Sequence, residues 1–317
     1  MILALAGDTM LGRGVAQRIA EDGPGSLIAD DVLAVLGEAE LFVLNLECVI
    51  SDRGSPWPDP RKPFFFRAPP RAVEVLRLLG ADCVTLANNH ALDFGAEALL
   101  DTLDHLHAAG IATVGAGADD VAAWTPVVCE RDGIRIGIVG VTDHPAEFAA
   151  ATGRPGVAYA DLRHGIPERL RATIAGIDAD VVLVTPHWGP NMIGAPLAFV
   201  REAATGLRTA GATLVAGHSA HVFQGAAHRV LFDLGDFIDD YATHPELRND
   251  LGLLFLVTIE DGVPRRVEGV PLALDYCRTR LARRDETEWI ADRFRRACAD
   301  LGTAASLVGD RLVIEWP

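Results

Sequence analysis

The sequence has little positive charge, and almost all of its cationic residues are arginine. Against 44 acidic residues stand 28 basic ones, which gives a formal net charge of −16, and Lys62 is the single lysine. A protein that follows a nucleic-acid backbone needs a basic stripe. The arginines between 278 and 296 are the main basic concentration, but acidic side chains alternate with them, as on a solvated helix face. The composition therefore argues against a nucleic-acid partner.

Cysteines and long apolar runs are scarce as well. The five cysteines are widely spaced and form no CxxC pair, as expected for reduced thiols in the cytoplasm. The first ten residues, MILALAGDTM, lack the basic start and long apolar stretch of a signal peptide, and no run approaches the ~20 apolar residues of a membrane span. We therefore expect a cytoplasmic protein without a membrane partner, and these features leave its oligomeric state open.

The sequence does contain an alternation of short β-rich runs and amphipathic helices, which is typical of layered α/β proteins. Strands are predicted at Ile2–Ala6, Leu41–Leu46, Cys83–Ala87, Ala112–Val114, Ile134–Val141, Val181–Thr185, Thr213–Ala216, Val230–Leu234 and Leu253–Ile259. Apolar residues that recur every three or four positions predict helices at Leu27–Leu36, Pro70–Leu79, Ala96–Ala108, Leu162–Ala175, Leu197–Ala210 and Glu286–Asp300.

Turn signals complete this organisation. The dipeptides Asp132-Gly133 and Asp261-Gly262 predict β-hairpins over residues 127–138 and 254–270. The segment Ser51–Pro63 is rich in proline and glycine, and this composition predicts a long loop that could rim a site. No linker divides the chain. We therefore expect one domain over residues 1–270, with residues 271–317 forming a small helix-and-strand appendage to it.

Six polar clusters directly follow predicted strands. They are Gly7-Asp8, Asn45-Leu46-Glu47, Asn88-Asn89-His90 with Asp93, His187-Trp188-Gly189, Gly217-His218-Ser219-Ala220-His221 and Gly235-Asp236. Ligands of open α/β sheets bind at the carboxyl ends of strands, so these side chains should converge. Carboxylates, an amide oxygen and imidazoles together suit Zn²⁺, Mn²⁺ or Fe²⁺, and an oxygen-rich subset would suit Ca²⁺ or Mg²⁺. The clusters therefore predict a divalent metal site.

The same clusters carry a family resemblance. The matching segments are GDTMLGRG at Gly7–Gly14, LNLECVI at Leu44–Ile50, LANNHALDFG at Leu86–Gly95, TPHWG at Thr185–Gly189, AGHSAHVFQG at Ala216–Gly225 and LFDLGDFI at Leu231–Ile238. In this order they resemble the poly-γ-glutamate capsule protein CapA family, a branch of the calcineurin-like metallophosphoesterase fold, over roughly residues 1–259. The resemblance implies a two-sheet β-sandwich flanked by helices.

The resemblance also implies roles for individual residues. By position, the metal would be held by Asp8, Glu47, Asn89, His187, His218 and His221. His90 would be the catalytic general acid of the superfamily. Asp93 follows three residues later and could hold the His90 imidazole in one tautomer, as carboxylates do for other catalytic histidines.

The sequence departs from the phosphoesterase pattern at the metal site. Met10 stands where a histidine is usual, and Glu47 replaces an aspartate. A Gly-His-x-His motif is spread to His218 and His221, and Asp236 stands where CapA-like chains usually have asparagine. One imidazole is lost and one carboxylate is gained. These changes favour a mononuclear, oxygen-rich or acid/base site over a tight two-metal phosphatase centre.

Three ring-bearing side chains are candidates for contact with a substrate. His144 follows a predicted strand beside Asp143, and we expect it to line the pocket. Trp188 directly follows His187 and would either stack on a substrate or pack in the core. Trp57 lies in the predicted loop and could contact an apolar part of the ligand.

Two enzymatic functions fit these residues. A metal-dependent hydrolase of phosphoester bonds, or of amide bonds such as γ-glutamyl links, needs one general acid, which would be His90. A metal-dependent isomerase, like the CapA-like peptide epimerases of lasso-peptide biosynthesis, needs two acid/base groups. His90 with Asp93 would supply the first group. His187 or His218, paired with Asp236, would supply the second.

The sequence favours the isomerase. The interpretation is epimerisation, L to D, at a Cα of a ribosomal, lasso-type precursor peptide, because one metal-binding imidazole is lost and one carboxylate is gained. The hydrolase, related to poly-γ-glutamate, is the alternative. A capsule-assembly component without catalytic activity is the third possibility, and the lack of a membrane anchor in the sequence argues against it.

Overall fold

The computed structural model describes residues 1–316, in which twenty strands and eight α-helices alternate. The strands are β1 (Ile2–Thr9), β2 (Leu41–Leu46), β3 (Val49–Ile50), β4 (Arg67–Ala68), β5 (Cys83–Thr85), β6 (Ala112–Val114), β7 (Ala116–Gly117), β8 (Val127–Arg131), β9 (Ile134–Thr142), β10 (Gly156–Val157), β11 (Val181–His187), β12 (Leu214–Ala216), β13 (Ala226–Ala227), β14 (Val230–Leu231), β15 (Asp236–Ile238), β16 (Leu251–Glu260), β17 (Val263–Asp275), β18 (Arg278–Leu281), β19 (Ser306–Val308) and β20 (Arg311–Glu315). The helices are α1 (Arg13–Asp22), α2 (Asp30–Leu36), α3 (Val73–Leu79), α4 (Gly95–Ala108), α5 (Asp120–Trp124), α6 (Glu168–Ala175), α7 (Ala198–Ala210) and α8 (Arg284–Ala299). Short 3₁₀ turns occur at Pro24–Leu27, Pro70–Ala72 and Ala146–Phe148.

Two large sheets form the centre of the protein. The first has the strand order β19-β20-β17-β16-β1-β2-β5-β6, with β15 paired to β1 and β18 paired to β17. The second has the order β13-β14-β12-β11-β9-β8. Within them, β1, β2, β5 and β6 run parallel, as do β9, β11, β12 and β14. Each sheet therefore presents the carboxyl ends of several parallel strands at one edge.

Alternate residues of the central strands pack on opposite sides of each sheet. In β1, Leu3 belongs to the apolar cluster shared by the two sheets, whereas Ala4 belongs to the cluster that includes α1–α4. In β11, Leu183 joins the shared cluster and Val184 joins the one that includes α6 and α7. Two sheets packed face to face, with helices on both outer faces, confirm the predicted two-sheet sandwich of the calcineurin-like fold.

Both predicted hairpins are present, whereas helices α1 and α5 were not predicted and α6 begins later than expected. Strands β8 and β9 pair antiparallel around 132–133, and β16 and β17 pair around 261–262. Helix α1 was not predicted, because only Val15 and Ile19 of it are buried and no side chain caps its start. Helix α6 begins at Glu168 instead of Leu162, since Pro167 disfavours helical geometry in the residue before it.

The C-terminal segment extends the larger sheet. Strand β17 crosses the expected boundary at residue 270 without a break, and β20 pairs with β17. Helix α8 buries Ile290 and Phe294 in the cluster between the sheets. Residues 271–316 thus share the sheet and core of the rest of the chain. No helix within residues 1–316 has the length and apolar character needed to span a bilayer.

Candidate metal centre

The polar clusters meet at the carboxyl ends of parallel strands from both sheets. Asp8 lies in β1, and Glu47 directly follows the parallel neighbour β2. From the second sheet, His187 is the last residue of β11 and forms an isolated bridge with His218. Asp236 opens β15 and is aligned with Asp8 across a parallel pair. Strand order thus brings residues that are far apart in sequence to one edge.

Four of these side chains form a tight group. Ligand atoms within 4.8 Å of one another come from Asp8, Glu47, His221 and Asp236, all buried. Nδ1 of His221 lies 2.8 Å from Asp236 Oδ1, 3.3 Å from Asp8 Oδ2 and 3.8 Å from Glu47 Oε2. Three carboxylates held this close repel one another unless a cation or protons neutralise them. The group is therefore a candidate divalent metal site.

Two further histidines flank this group. Nδ1 of His218 lies 3.6 Å from Asp8 Oδ1, and Nε2 of His187 lies 3.9 Å from Glu47 Oε1. Both carboxylate oxygens of Glu47, both ring nitrogens of His187 and Nδ1 of His218 are buried, with no hydrogen-bond partner in residues 1–316. Orphaned buried polar atoms are rare because they are costly. One divalent ion could bind Glu47, one ring nitrogen of His187 and Nδ1 of His218, and this set of oxygen and nitrogen donors fits such an ion.

Asn89 offers an amide oxygen in the same region. It lies after β5, the parallel neighbour of β2. Its Oδ1 is buried and has no hydrogen-bond partner in the described part of the chain. The amide is therefore available as a further oxygen ligand, which is the role that the resemblance implied.

Burial and mutual charge set the protonation of the group. Burial raises the pKa of Glu47 well above its ordinary value, and the negative charge of Asp8 raises it further. Burial opposes protonation of His221, but two neighbouring carboxylates outweigh it and raise its pKa well above the ordinary value. Burial lowers the pKa of His187 well below its usual range, and it lowers that of His218 to about 4. These two rings are therefore neutral, the form that binds metals.

His90 is held beside the metal group by its own carboxylate. Nδ1 of His90 lies 2.6 Å from Asp93 Oδ2, and Phe66 stacks on the imidazole at a centroid distance of 4.0 Å. Burial lowers the pKa of His90 to about 4, although the charge of Asp93 opposes this shift. Because Asp93 occupies Nδ1, Nε2 is the nitrogen that remains for a substrate.

A chain of amides links the metal group to His90. The amide Nδ2 of Asn45 donates to Asp8 Oδ1 at 2.7 Å, and Nδ2 of Asn88 donates to Asn45 Oδ1 at 3.0 Å. The Oδ1 of Asn88 in turn accepts the backbone N–H of His90 at 3.0 Å. Both asparagines belong to the predicted polar clusters. Their network fixes the position of His90 relative to the carboxylates.

Sequence reasoning missed two residues that border the site. Nζ of Lys62 lies 2.9 Å from Asp93 Oδ1 and donates to the Asn89 carbonyl at 2.8 Å. The signal was present, because Lys62 is the only lysine in a chain that otherwise uses arginine. The hydroxyl of Tyr241 is buried, has no partner in residues 1–316, and its ring lies 5.3 Å from that of His221. Tyr241 has no such signal, since it follows the last matching motif by three residues.

A cleft of about 180 Å³ opens beside the metal group. Its lining residues include Trp57, Lys62, Asn89, His144 and Phe148. The ring of Trp57 packs edge-on against Phe148 at 4.8 Å, and the ring of His144 lies 5.3 Å from that of His187. Both Trp57 and His144 thus line this cleft, and their contact with a substrate stays a prediction.

Trp188 and Met10, which the sequence places near the site, are buried in the core. Trp188 is only 3% exposed, stacks on Phe232 and donates its indole N–H to the Phe232 carbonyl at 2.9 Å. A hydrogen-bonded indole in the core is not available for substrate stacking, so the core alternative describes Trp188. Met10 is fully buried, and its sulfur accepts the backbone N–H of Gly12 at 3.0 Å. Met10 therefore does not take the place of the missing metal-binding histidine.

The expected pairing of Asp236 with His187 or His218 is wrong. Asp236 is 2% exposed and contacts His221, at 2.8 Å, inside the metal group. The reason is a tight turn: Ser219 and His221 both have positive φ, and Asp233 accepts the N–H of Ala220 at 2.8 Å. This turn directs His221 back toward β15. No motif in the sequence signals these backbone angles.

Gly7 allows β1 to approach the turn that precedes Asp236. An added Cβ at Gly7 would lie 1.8 Å from the Gly235 oxygen, the same atom that accepts the N–H of Asp8 at 2.9 Å. Gly7→Ala should therefore lower the free energy of unfolding by ~3 kcal/mol or more, measured by urea denaturation. The control Gly25→Ala would meet only Leu78, at 3.9 Å, and should change it by less than ~1 kcal/mol. Equal midpoints for wild type and Gly7→Ala would contradict this close packing.

Known proteins place the chain among bacterial capsule proteins. A probable polyglutamine synthesis accessory protein of Mycobacterium tuberculosis is 31% identical over an alignment of 363 positions. The alignment covers 98% of this chain and 94% of that protein. The PGA biosynthesis protein CapA of Bacillus subtilis is 28% identical over 245 residues, 75% of this chain and 63% of its own length. A hypothetical protein from Thermus thermophilus, 17% identical, superposes with a TM-score of 0.52 over 87% of this chain and all of its own, a likeness of fold alone.

The match to a family is broader than any single motif. Residues 2–241 match the family described as bacterial capsule synthesis protein PGA_cap, and this range contains every candidate metal ligand. The segments that suggested the CapA resemblance all lie within it. The chain belongs to the bacterial capsule synthesis protein PGA_cap family.

Proposed function

We propose that this protein is a metal-dependent hydrolase that cleaves a phosphoester or a γ-glutamyl amide bond during synthesis of a glutamate polymer. The observation that carries the proposal is the His90–Asp93 pair, held at 2.6 Å beside the buried metal group. A hydrolase needs one proton donor for its leaving group at such a place. The relatives named for polyglutamine synthesis and PGA biosynthesis support the link to a polymer.

The metal would be held by buried oxygen and nitrogen atoms from both sheets. The proposed ligands are Asp8, Glu47, Asn89, His187, His218 and His221, with Asp236 hydrogen-bonded to His221. A divalent ion there would supply Lewis-acid polarisation of the scissile group and a lowered pKa for water. Mn²⁺, Zn²⁺, Ca²⁺ and Mg²⁺ are the ions to compare, because the donor set mixes carboxylate, amide and imidazole.

His90 would handle the proton of the leaving group. Hydrolysis adds a hydroxyl to phosphorus or to a carbonyl carbon and breaks the bond to an oxygen or nitrogen, which then takes up a proton. Since Asp93 holds Nδ1–H of the neutral His90 ring, Nε2 would first take up the proton that the attacking water releases and then deliver it to the leaving atom. Lys62, at 2.9 Å from Asp93, keeps the carboxylate in place from its other oxygen.

The cleft would position the substrate. Its volume of about 180 Å³ is below the ~300–1,000 Å³ of pockets that enclose a whole drug-sized ligand, so it would take one end or one unit of a longer molecule. Lys62 and His144 line it together with the carboxylates of Asp59 and Glu147, and Trp57 offers an apolar face. This mixed lining suits a polar substrate with an apolar stretch.

The geometry gives the peptide-epimerase interpretation less support. That reaction needs a second acid/base group that faces the substrate from the opposite side. Its candidate was His187 or His218 paired with Asp236, but Asp236 is buried against His221 within the metal group. Epimerisation is therefore a competing outcome of the test below.

Incubation in D₂O distinguishes these reactions. The Mn²⁺-loaded protein would be given γ-linked oligoglutamate, p-nitrophenyl phosphate and an uncleaved linear peptide in parallel. We expect shortened oligoglutamate or released nitrophenol, with no deuterium at any Cα. If both bonds stay intact and a peptide of unchanged length gains one deuterium at a Cα, the hydrolase proposal is wrong.

Removal of the metal should lower thermal stability. Without an ion, three carboxylates within 4.8 Å of one imidazole are left to repel one another or to protonate. A ligand present at 1,000 times its Kd stabilises by about 4 kcal/mol, which corresponds to a melting temperature higher by on the order of 10 °C. Differential scanning calorimetry before and after chelation should show this loss, and added Mn²⁺ should reverse it. An unchanged melting temperature would contradict metal binding by the folded protein.

Asp236→Asn separates the hydrolase from the epimerase. Asparagine keeps an oxygen that can face Nδ1 of His221, so the geometry around the metal group should persist. With saturating Mn²⁺ we expect the rate of hydrolysis to stay within about tenfold of wild type, because this side chain transfers no proton in the proposed reaction, whereas the affinity for the metal should fall. An epimerase that used Asp236 as a base would lose ~10²-fold or more. Steady-state rates of Asp236→Asn and of the wild type measure the difference.

A further inference from the structure

A groove runs between α7 and α8, on elements that provide no residue of the metal centre. Three adjoining cavities of about 270, 190 and 400 Å³ form it. The first two share Arg201, Asp300 and Leu301, and the first and third share Arg208 and His228. Because neighbouring cavities share lining residues, they adjoin one another along this surface.

The groove is positively charged, although the whole protein is strongly negative. Its charged lining residues are Arg201, Arg208, Arg229, Arg293 and Arg296 against Asp300 and Glu315. Arg201 and Arg208 lie seven residues apart on α7, which places them roughly 10 Å apart along the helix. Arg293 and Arg296 line the same cavity as Arg201 from α8. Cations thus occupy both walls.

Three of these cations lack an acidic partner in the described residues. Arg201, Arg208 and Arg293 donate their hydrogen bonds to backbone carbonyl oxygens, and no carboxylate within residues 1–316 forms an ion pair with them. Burial lowers the pKa of Arg208 and of Arg293, and the charge of a neighbouring guanidinium lowers it further. Arg208 and Arg293 are partly buried and Arg201 is exposed, and cations without counter-charges favour an anionic ligand.

We propose that this groove binds an extended acidic polypeptide whose carboxylates pair with the arginines of α7 and α8. A planar guanidinium matches a carboxylate with two parallel hydrogen bonds. Single-stranded nucleic acid fits less well, because Phe232 and Trp316, the aromatic lining residues, are each 6% exposed and offer no stacking platform. Only the identity of the polymer as a glutamate chain rests on the proposed function.

One loop connects the groove with the metal centre. It starts at His187, and its residues Gly194–Pro196 line the groove. On the way, the N–H of Met192 donates to the Ala220 carbonyl at 2.9 Å, between His218 and His221. The seven residues from His187 to Gly194 span at most ~25 Å. A polymer held in the groove would therefore lie near the site of cleavage.

Fluorescence anisotropy with fluorescein-labelled octaglutamate tests the groove. Arg201→Glu/Arg296→Glu reverses two exposed charges on opposite walls and should weaken binding at least about tenfold. Arg71→Glu/Arg284→Glu makes the same change in net charge at exposed positions outside the groove and should stay within about twofold of wild type. Should the first variant unfold, Arg201→Gln/Arg296→Gln takes its place with the same direction of effect.

Three results would overturn the inference. They are no binding of octaglutamate by the wild type, equal weakening in both double variants, and tighter binding of labelled octathymidylate than of octaglutamate. Asp8→Asn keeps the groove intact, so it should retain binding of octaglutamate while it loses hydrolysis. Failure of the hydrolase proposal, seen as no cleavage by the wild type, is thereby distinguished from failure of the groove.

Discussion

His90→Ala should lower the rate of hydrolysis by at least ~10²-fold, the lower end for loss of a general acid or base, while the metal stays bound. The imidazole is 5% exposed and pairs with Asp93 at 2.6 Å through Nδ1, which leaves Nε2 for the substrate. Alanine removes the proton donor and leaves all proposed ligands in place. Steady-state kinetics measure the rate, and inductively coupled plasma mass spectrometry measures the metal content of the same preparation.

Two companion variants define the role of His90. Asp93→Asn removes the charge that faces Lys62 and orients the ring, so we expect a smaller loss of rate with the imidazole still present. His107→Ala alters an exposed histidine on α4 and should leave rate and metal unchanged. If His90→Ala loses its metal together with its activity, His90 is a ligand and the assigned role is wrong.

Asp8→Asn should lose both metal and activity. Asp8 lies 3.6 Å from His218, 3.3 Å from His221 and 2.7 Å from the amide of Asn45, and is thus at the centre of the group. Changes at residues that merely support a metal ligand cost 10–100-fold in affinity, so loss of a ligand charge should exceed ~100-fold. We expect a fall in rate of ~10³-fold or more. Titration with Mn²⁺ under calorimetry measures the affinity.

A matched change elsewhere controls for general damage. Asp101 has a side chain only 13% exposed and an ion pair with Arg53, but it lies on α4, outside the metal group. Asp101→Asn should therefore keep metal and rate while it loses a little stability, ~1 kcal/mol or less. Normal affinity and rate in Asp8→Asn would remove Asp8 from the proposed ligand set.

Much of the fold was predictable because its signals are local. The continuous apolar runs of β1 and β11, and the Asp-Gly turns of both hairpins, specify strands without knowledge of the partners. Helix α1 gives a weaker signal, since only two of its ten residues are buried. The role of residues 271–316 depends on the pairing of β20 with β17, a contact between distant segments that no local pattern encodes.

The residues of the site could be predicted from the sequence, but the contacts between them could be predicted less well. Polar residues after strands converge because parallel strands share an edge, and this rule located Asp8, Glu47 and His187. The partner of Asp236 depends on positive φ at Ser219 and His221, which no residue type there announces. Nothing in the sequence distinguished a core indole at Trp188 from one that faces a ligand. The residue types at the carboxyl ends of the strands follow from the sequence, whereas the contacts between their side chains follow from backbone geometry.

Anomalous X-ray scattering from crystals grown with Mn²⁺ tests the central claim most directly. The account predicts a manganese peak enclosed by Asp8, Glu47, His218 and His221, in protein whose activity depends on the ion. The same peak should be absent from Asp8→Asn crystals grown in the same way. Wild-type protein that is fully active, with no anomalous peak among these side chains, would contradict the account.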